Sequence, residues 1–562
     1  MKDHYFVRRS SWKGGVALVL AITVLAAACG SAKKADDTST TAPDGGAAAN
    51  SANVVKAASG PPHTGGKLVF GLDAETDGWN PTSNRWAVAG TTVANAVFDP
   101  LAAWDADFHA QPYLAQSIDH NDAYDAWTIT LRSGVTFHDG EPVDAAAVKK
   151  DLDAIKASVL TSAAFKPIDQ IKVVDPLTVE VDMSIPWSAF PASLTAQSGM
   201  VAAPKMLDDT TNGSRRPVGS GPFVFDKWTP DTVFSAKKNP SYWRKDGNGA
   251  QMPYLDAIDF MPIPEPQSAY DALRTGDVNV LTTSNQLIIN KLKADAANGD
   301  TQFVQSVGET EESVVMLNTV KAPLDDNRVR TALAYATDQV GLAKIAGTDP
   351  KDIAAGPFVP GTHWAIDTGY PGYDLAKAKD LVAQVQAEKG PIQFTLQCTD
   401  NNEIIQICQA LAANWNDAGM KVSIVNMDQG KLINNALGGV YQATIWRQFG
   451  SPDPDGDAVW WNGANTKPPI ALNMARNADG VLDAALYVGR TSADDFERKL
   501  AYITVQRQLA QDVPYLWLSH IPWGLGAQNT VRGIDSATLP DNAPAAVLVG
   551  GVERVTQIWL DD

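Results

Sequence analysis

The chain is poor in cysteine, histidine and long apolar runs, and each shortage closes off a class of function. Its three cysteines, Cys29, Cys398 and Cys408, form no CxxC pair, no zinc-type Cys/His array and no disulfide scaffold. Its seven histidines include no HExxH helix motif and no paired ligand spacing, which speaks against a zinc hydrolase. The apolar run at residues 16–28 is 13 residues long, short of the ~20 that a helix needs to cross a bilayer. No second run is long enough to span, and no fixed-period repeat is present. Positive charge is also in deficit: 45 Lys and Arg stand against 64 Asp and Glu, a net charge of -19. That balance argues against nucleic acid or an anionic membrane surface as the main partner.

The chain holds 562 residues, 44% of them hydrophobic and 19% charged. These proportions describe a globular body rather than a disordered chain. The length suggests three to four domains at ~150 residues each, with ample core and no need of metal or disulfide staples. Tryptophan is plentiful at 16. Large rings mostly fill cores, but they also line binding sites.

Residues 1–28 read as an address rather than as fold. Arg8, Arg9 and Lys13 precede the apolar run, which ends in Leu25-Ala-Ala-Ala-Cys29-Gly30. Small residues before a cysteine resemble the lipobox of bacterial lipoproteins, in which the cysteine is acylated and becomes the new N-terminus. Leu25 stands four residues before Cys29 rather than the usual three, with Ala26 in the usual place. Residues 31–60 contain no Leu, Ile, Met, Phe, Tyr or Trp. Such a segment buries too little apolar area to offset its ordering entropy, so 29–65 is expected to be an acylated Cys29 followed by a flexible tether. Residues 1–28 carry four positive charges and one negative, so the remainder stands at -22.

From residue 67 strands and helices mix. Trp127-Thr-Ile-Thr-Leu131 alternates at period two, as a half-buried strand does. Val329, Leu333, Ala334 and Ala336 share a helical stripe, with Asp325 and Asp326 at its positive N-terminal end. Ile404, Ile405, Ile407, Leu411 and Trp415 make a second stripe, closed by Gly419 and followed by the strand Lys421-Val-Ser-Ile-Val425.

Several segments, in order, resemble the extracytoplasmic solute-binding proteins of ABC importers, in the dipeptide/oligopeptide/nickel-binding family (family 5). They are FHDG at Phe137 to Gly140 with Pro142; Pro217-Val-Gly-Ser-Gly-Pro-Phe223; Asn239-Pro-Ser-Tyr-Trp243; and Ala272-Leu-Arg-Thr-Gly-Asp277. Leu317-Asn-Thr319 with Pro323-Leu-Asp-Asp and Val329-Arg-Thr-Ala-Leu follows, and then the Asp-Pro-Asp ending at Asp455. The resemblance implies an α/β, bilobed, type II periplasmic-binding-protein-like fold of three domains with a ligand cleft between two lobes. Transferred to this chain, lobe I is 66–107, 217–310 and 517–562, domain II is 108–216, and lobe III is 311–516. Solute would bind between lobes I and III, which close by hinge motion. The protein would then be no enzyme and would hold neither cofactor nor metal. Its partners would be a small organic solute or peptide and ABC permease subunits, with no nucleic acid. It would be a monomer held outside the cytoplasm by a membrane-anchoring lipid.

Three segments match family positions that contact solute. The first holds Ser83, Asn84, Arg85 and Trp86, the second Thr362, His363 and Trp364, the third Trp446, Arg447, Gln448 and Phe449. Aromatic faces with a few polar groups suit an organic solute. Peptide binders of this family place an Asp just before the Asp-Pro motif to hold the α-amino group, because a buried ammonium needs a partner. Here Gly450 takes that place. Arg447 is the one charge in this stretch, and a guanidinium suits a carboxylate or phosphate. An anionic or sugar-like solute therefore stands beside a peptide as an alternative, and an extracytoplasmic hydrolase is a weaker third.

The remaining conspicuous residues have plainer readings. His138-Asp139 and Gly219-Ser220-Gly221 read as turns; the latter lacks the GxSxG spacing. Asp453, Asp455 and Asp457 lack the glycine and glutamate positions of an EF-hand and read as a solvated turn. Outside the cytoplasm Cys398 and Cys408 are free to oxidise, so a disulfide and a pair of buried thiols both stay open.

Overall fold

The structure, a computed structural model, describes residues 53–158, 161–306, 311–467 and 470–561, all within one compact unit, Ala47–Asp562. The leader at 1–28, the acylation site Cys29 and the tether as far as residue 52 lie outside the described residues. No described helix is long and apolar enough to cross a membrane.

The architecture is mixed α/β. Seven strands form one sheet, in the order Gln302–Gln305, Gly524–Ala527, Val280–Thr283, Lys67–Leu72, Ala257–Pro262, Val233–Lys238 and Phe223–Thr229. Its central strand, Lys67–Leu72, runs parallel to both neighbours and is covered on both faces, as parallel sheets generally are. A five-stranded sheet has the order Lys421–Met427, Gln393–Thr399, Ala443–Phe449, Glu311–Leu317 and Tyr515–His520. A four-stranded antiparallel sheet runs Ala115–His120, Ala126–Leu131, Thr178–Met183 and Ile168–Asp175. In it Trp127, Ile129 and Leu131 are buried while their neighbours are half-buried, the alternation read from the sequence.

Helix ends follow local chemistry. Asp144 accepts the Ala147 N–H at 2.9 Å to cap Ala145–Ala157, and Asn401 and Asp326 cap Asn402–Asp417 and Asn327–Ala336 in the same manner. Ile407, Leu411 and Trp415 turn the Asn402–Asp417 helix onto the core beneath the five-stranded sheet, and Gly419 ends it at φ +97°.

The chain leaves the seven-stranded sheet after Ser306 and returns to it after His520, and the described residues flanking the two crossings bond to one another. Ser306 N–H donates to the Trp523 carbonyl at 2.9 Å, and Ile521 N–H donates to the Glu311 carbonyl at 2.8 Å.

One expectation is corrected here. Residues 53–65, read from composition as flexible tether, dock on the seven-stranded sheet. Val54 and Phe303 exchange backbone hydrogen bonds of 2.8 and 2.9 Å, Lys56 N–H donates to Gln302 Oε1 at 2.8 Å, and Ser59 N–H donates to Asp561 Oδ2 at 3.1 Å. Strand addition at a sheet edge uses backbone groups, so a segment without large apolar residues still docks.

The helix Val88–Val97 (VAGTTVANAV) decides where the site can be. Every residue of it but Thr91 is buried, and its small side chains let neighbours approach closely. Its last carbonyl, on Val97, accepts the Gly221 N–H at 2.8 Å. A Cβ at 219 would stand 2.2 Å from that same oxygen, and a Cβ at 221 would stand 2.5 Å from the Val97 carbonyl carbon. The PVGSGPF segment is therefore a close-packed clamp on the helix end. Just beyond the helix, Asp99 accepts hydrogen bonds from Ser220 Oγ at 2.9 Å, Tyr242 OH at 3.0 Å and Trp243 Nε1 at 2.9 Å. His138 joins the clamp through Gly221 O at 3.0 Å. Three of the motifs that carry the family resemblance, FHDG, PVGSGPF and NPSYW, thus converge on the C-terminal end of one helix.

Candidate functional site: a cavity beside the helix Val88–Val97

One face of that helix, Val88, Thr91 and Asn95, forms a wall of a cavity of about 360 Å³. Spacings of three and four residues put these side chains in one row. Rings make up much of the rest: Trp86 and Trp104, Trp187 from beyond the four-stranded sheet, and Phe449 at the end of the strand Ala443–Phe449. The loop 450–456 and the C-terminal segment 546–554 complete the lining.

Two carboxylates in this lining already have cations. Asp455, 4% exposed, accepts from Arg490 Nε at 2.8 Å through Oδ1 and from Trp187 Nε1 at 2.6 Å through Oδ2. The Arg490 guanidinium lies 5.0 Å over the Trp187 ring. Glu311, also 4% exposed, has Arg447 Nε 2.5 Å from Oε1 and accepts the Trp523 Nε1–H at 2.9 Å through Oε2. Arg447 also donates to Ser284 Oγ at 3.1 Å. Burial raises the nearby Asp73 carboxyl to about 6, against the opposing pull of Arg447.

A fourth charge in the lining is different. Arg554 makes no hydrogen bond and no ion pair with any described residue; its guanidinium lies 5.0 Å over the Tyr113 ring. The lining contains no His and no Cys among the described residues. Its Ser193, Thr195 and Ser198 hydroxyls donate to backbone carbonyls at 2.7 to 2.8 Å. No nucleophile–base pair is assembled there.

The residues singled out from the sequence divide between this cavity and its surroundings. Trp86 lines it; its Nε1–H donates to the Gly78 carbonyl at 2.9 Å and its ring stacks on Phe98. Asn84 and Arg85 instead bind Asp77 at 3.1 to 3.2 Å, and Ser83 is exposed beside them, outside the lining. Phe449 lines the cavity, and Arg447, two residues earlier on the same strand face, borders it through Glu311. Trp446 and Gln448 point the other way; Trp446 packs into the core on that side, and Gln448 is buried. Thr362, His363 and Trp364 all lie outside the lining. Thr362 Oγ1 donates to Val359 O at 2.8 Å, His363 Nε2 lies 3.0 Å from Asp495 Oδ1, and Trp364 packs on Tyr502 under Arg498.

The expectation of a solvated turn at Asp453 to Asp457 is corrected. Asp455 and Asp457 are 4% and 5% exposed, and Asp453 takes Arg498 Nη2 on both oxygens at 2.6 and 2.9 Å. Arg498 and Arg490, from the distant Asp495–Asp512 and Gly480–Thr491 helices, make the burial of Asp453 and Asp455 tolerable, whereas burial raises the Asp457 carboxyl. Sequence reasoning also missed Asn95, Trp104, Trp187, Glu311, Arg490 and Arg554. They come from separate stretches with no shared local pattern.

Two sheets and the helices that cover them thus surround a ring-lined cavity. The sequence pattern of "Bacterial extracellular solute-binding proteins, family 5 Middle" matches residues 109–468, and the chain belongs to that family, the substrate-binding components of ABC importers. It is 27% identical over 441 residues to the glutathione-binding protein GsiB of Pectobacterium atrosepticum, covering 76% of this chain and 84% of that one. Among solved structures it resembles the DppA periplasmic binding protein of Helicobacter pylori in complex with the peptide STSA. The TM-score is 0.76 at 21% identity, over 89% of this chain and 99% of the other. It resembles equally AgaA in complex with agropinic acid from A. tumefacien R10, with a TM-score of 0.76 at 22% identity, over 88% and 99%. These likenesses establish the type II periplasmic-binding fold.

Proposed function

We propose that this protein captures a small peptide or related organic solute outside the cytoplasm and presents it to the permease of an ABC importer without altering it chemically. The observation that carries this is the ring-lined cavity of about 360 Å³, at the small end of the ~300–1,000 Å³ range of organic-ligand sites. Trp86, Trp104, Trp187 and Phe449 supply apolar faces, and the absence of a nucleophile–base pair in the described lining favours binding over hydrolysis. The relatives named for glutathione, a tetrapeptide and agropinic acid make this solute range reasonable.

The domain layout we propose is lobe I at 66–107, 217–310 and 517–562, domain II at 108–216, and lobe III at 311–516. Ser306 and Glu311, bonded to Trp523 and Ile521, mark the hinge about which the lobes close on solute. Acylation at Cys29 holds a monomer to the membrane. A second reading, a non-peptide anionic or sugar-like solute, is favoured by one observation: Gly450 stands where peptide binders carry an acid, and the two carboxylates of the lining already have cations.

Mass spectrometry of the solute carried through purification, followed by calorimetry with that solute, tests both readings. Recovered peptides would select the first and a sugar acid the second. Recovery of no solute, with no heat of binding for glutathione, di- and tripeptides or sugar acids, would sink both. Trp86→Ala and Phe449→Ala should each weaken binding by about tenfold if the rings hold the solute.

A further inference from the structure

Arg554 and Asn95 share an unusual condition: both line the cavity and neither side chain has a hydrogen-bonding partner among the described residues. Asn95 is 6% exposed, its Oδ1 accepts nothing, and its Nδ2 donates to nothing among the described residues. Buried side-chain amides are nearly always paired, and leaving one unpaired is costly. Arg554 lines the same cavity and forms no ion pair with a described carboxylate. Its sequence neighbour Glu553 is 2% exposed with Oε2 unpartnered; burial raises that carboxyl, against the pull of the Arg554 backbone N–H and guanidinium. Thr92 Oγ1 accepts the Glu553 N–H at 3.4 Å, which sets the helix Val88–Val97 beside the Arg554 segment.

The two carboxylates of the lining are paired, Glu311 with Arg447, which borders the cavity, and Asp455 with Arg490. Arg554 is then the charged group of the described lining without an ion-pair partner, and its guanidinium offers parallel donors to a carboxylate. The Asn95 amide can turn its N–H₂ toward the same anion.

We propose that Arg554 and Asn95 form an anion subsite that takes a single carboxylate of the solute. The proposal rests on the solute-receptor reading above and narrows it to solutes with a carboxylate at one end. A phosphate dianion would bring a second negative charge that no free cation of the described lining meets.

Calorimetry on the purified protein at neutral pH tests this with matched pairs: tri-alanine against tri-alanine amide, and galacturonate against galactose, with glutathione as a further acid. The acid of at least one pair should bind about tenfold or more tightly than its neutral partner, the discrimination expected of a charged hydrogen-bonded contact. Arg554→Gln should bring acid and neutral forms within about twofold of each other while leaving the melting temperature unchanged, and Arg554→Lys should restore part of the preference. Equal binding of acid and neutral forms by the natural protein would overturn the subsite and leave the receptor reading standing. So would an equal loss of both forms in Arg554→Gln. Failure of every compound to bind would overturn the receptor reading for these solute classes, and the subsite with it.

Discussion

Arg447 and Glu311 lie diagonally across two antiparallel strands and join as an ion pair, with Nε 2.5 Å from Oε1. Glu311 pairs directly with Phe449, which puts Arg447 two residues along on the same face, within reach of a long side chain. Arg447 also donates to Ser284, which follows a strand of the other sheet, so this one residue touches both sheets. Arg447→Ala leaves the Glu311 carboxylate buried with a single donor, Trp523. We expect a loss of about 1–3 kcal/mol, reduced from a fully buried pair because Arg447 is 41% exposed. Adding Glu311→Gln should recover at least half of it. Urea midpoints of the single and double variants check this; a double variant no better than Arg447→Ala would break the pairing argument.

Gly219 marks the closest approach of the turn to the helix Val88–Val97. Gly219→Ala places a methyl 2.2 Å from the Val97 carbonyl oxygen, so backbone must move. A cost of about 2–3 kcal/mol is expected, in the range of overpacked sites. Because the displaced helix carries Thr91 and Asn95, solute affinity should fall as well. Gly480→Ala, where the added methyl meets nothing within 4 Å at a helix start, should cost nothing. Equal melting temperatures for the two variants would refute the clamp.

His520 and Glu312 face each other across paired strands, 2% and 3% exposed, with Nδ1 3.8 Å from Oε1, too far for a hydrogen bond. Burial lowers the His520 imidazole from 6.5 to about 4, and burial, then Asp457 and Glu311, raise the Glu312 carboxyl. Between pH 6.5 and 4 the unfolded chain binds a proton at His520 that the folded chain refuses, so this site lowers stability as pH falls. From pH 6.5 to 4.5 that amounts to about 2–3 kcal/mol at ~1.4 kcal/mol per unit. Glu312 contributes the opposite slope, since its folded form holds a proton that the unfolded form releases above its ordinary range. His520→Gln should remove the first effect and flatten the acid limb by that amount. Denaturant midpoints at pH 6.5 and 4.5 would contradict this if natural and variant proteins lost stability in parallel.

The structure joins Cys398, at the end of one strand, to Cys408 on the next helix, closing a loop with a sequence separation of 10. A loop of that length confers about 2–3 kcal/mol in the chain-entropy account. Reduction, or Cys398→Ala with Cys408→Ala, should lower the unfolding free energy by about that much without changing solute affinity, since neither residue lines the cavity. An unaltered urea midpoint after reduction would show that the bond carries none of the stability.

What was legible in the sequence was local. The period-two run at Trp127 to Leu131, Asp326 at the start of a helix, and the Gly219-Ser220-Gly221 turn each rest on a few neighbouring residues, and each appears as read. The ordered motifs named the family for the same reason. Three of them hold one helix: the PVGSGPF, NPSYW and FHDG segments meet around Val97 and Asp99 rather than at the cavity wall.

The cavity was not legible in this way. Of the three segments singled out, two contribute one ring each, Trp86 and Phe449, and the third, at Thr362 to Trp364, packs on the Asp495–Asp512 helix. Asp455 read as a solvent-facing turn because its cation, Arg490, comes from another helix. Sequence alone carried the family and, through that resemblance, the fold class, because the motifs are short contiguous stretches, and burial period marked single strands and helices for the same reason. Only the tertiary structure decided which charges cancel. Whether Arg447 and Arg490 are free to meet an anion depends on Glu311 and Asp455, 136 and 35 positions away, and ion pairing is set by distance in space. Arg554, with nothing in its sequence surroundings to mark it, is left without an ion pair among the described residues for that same reason.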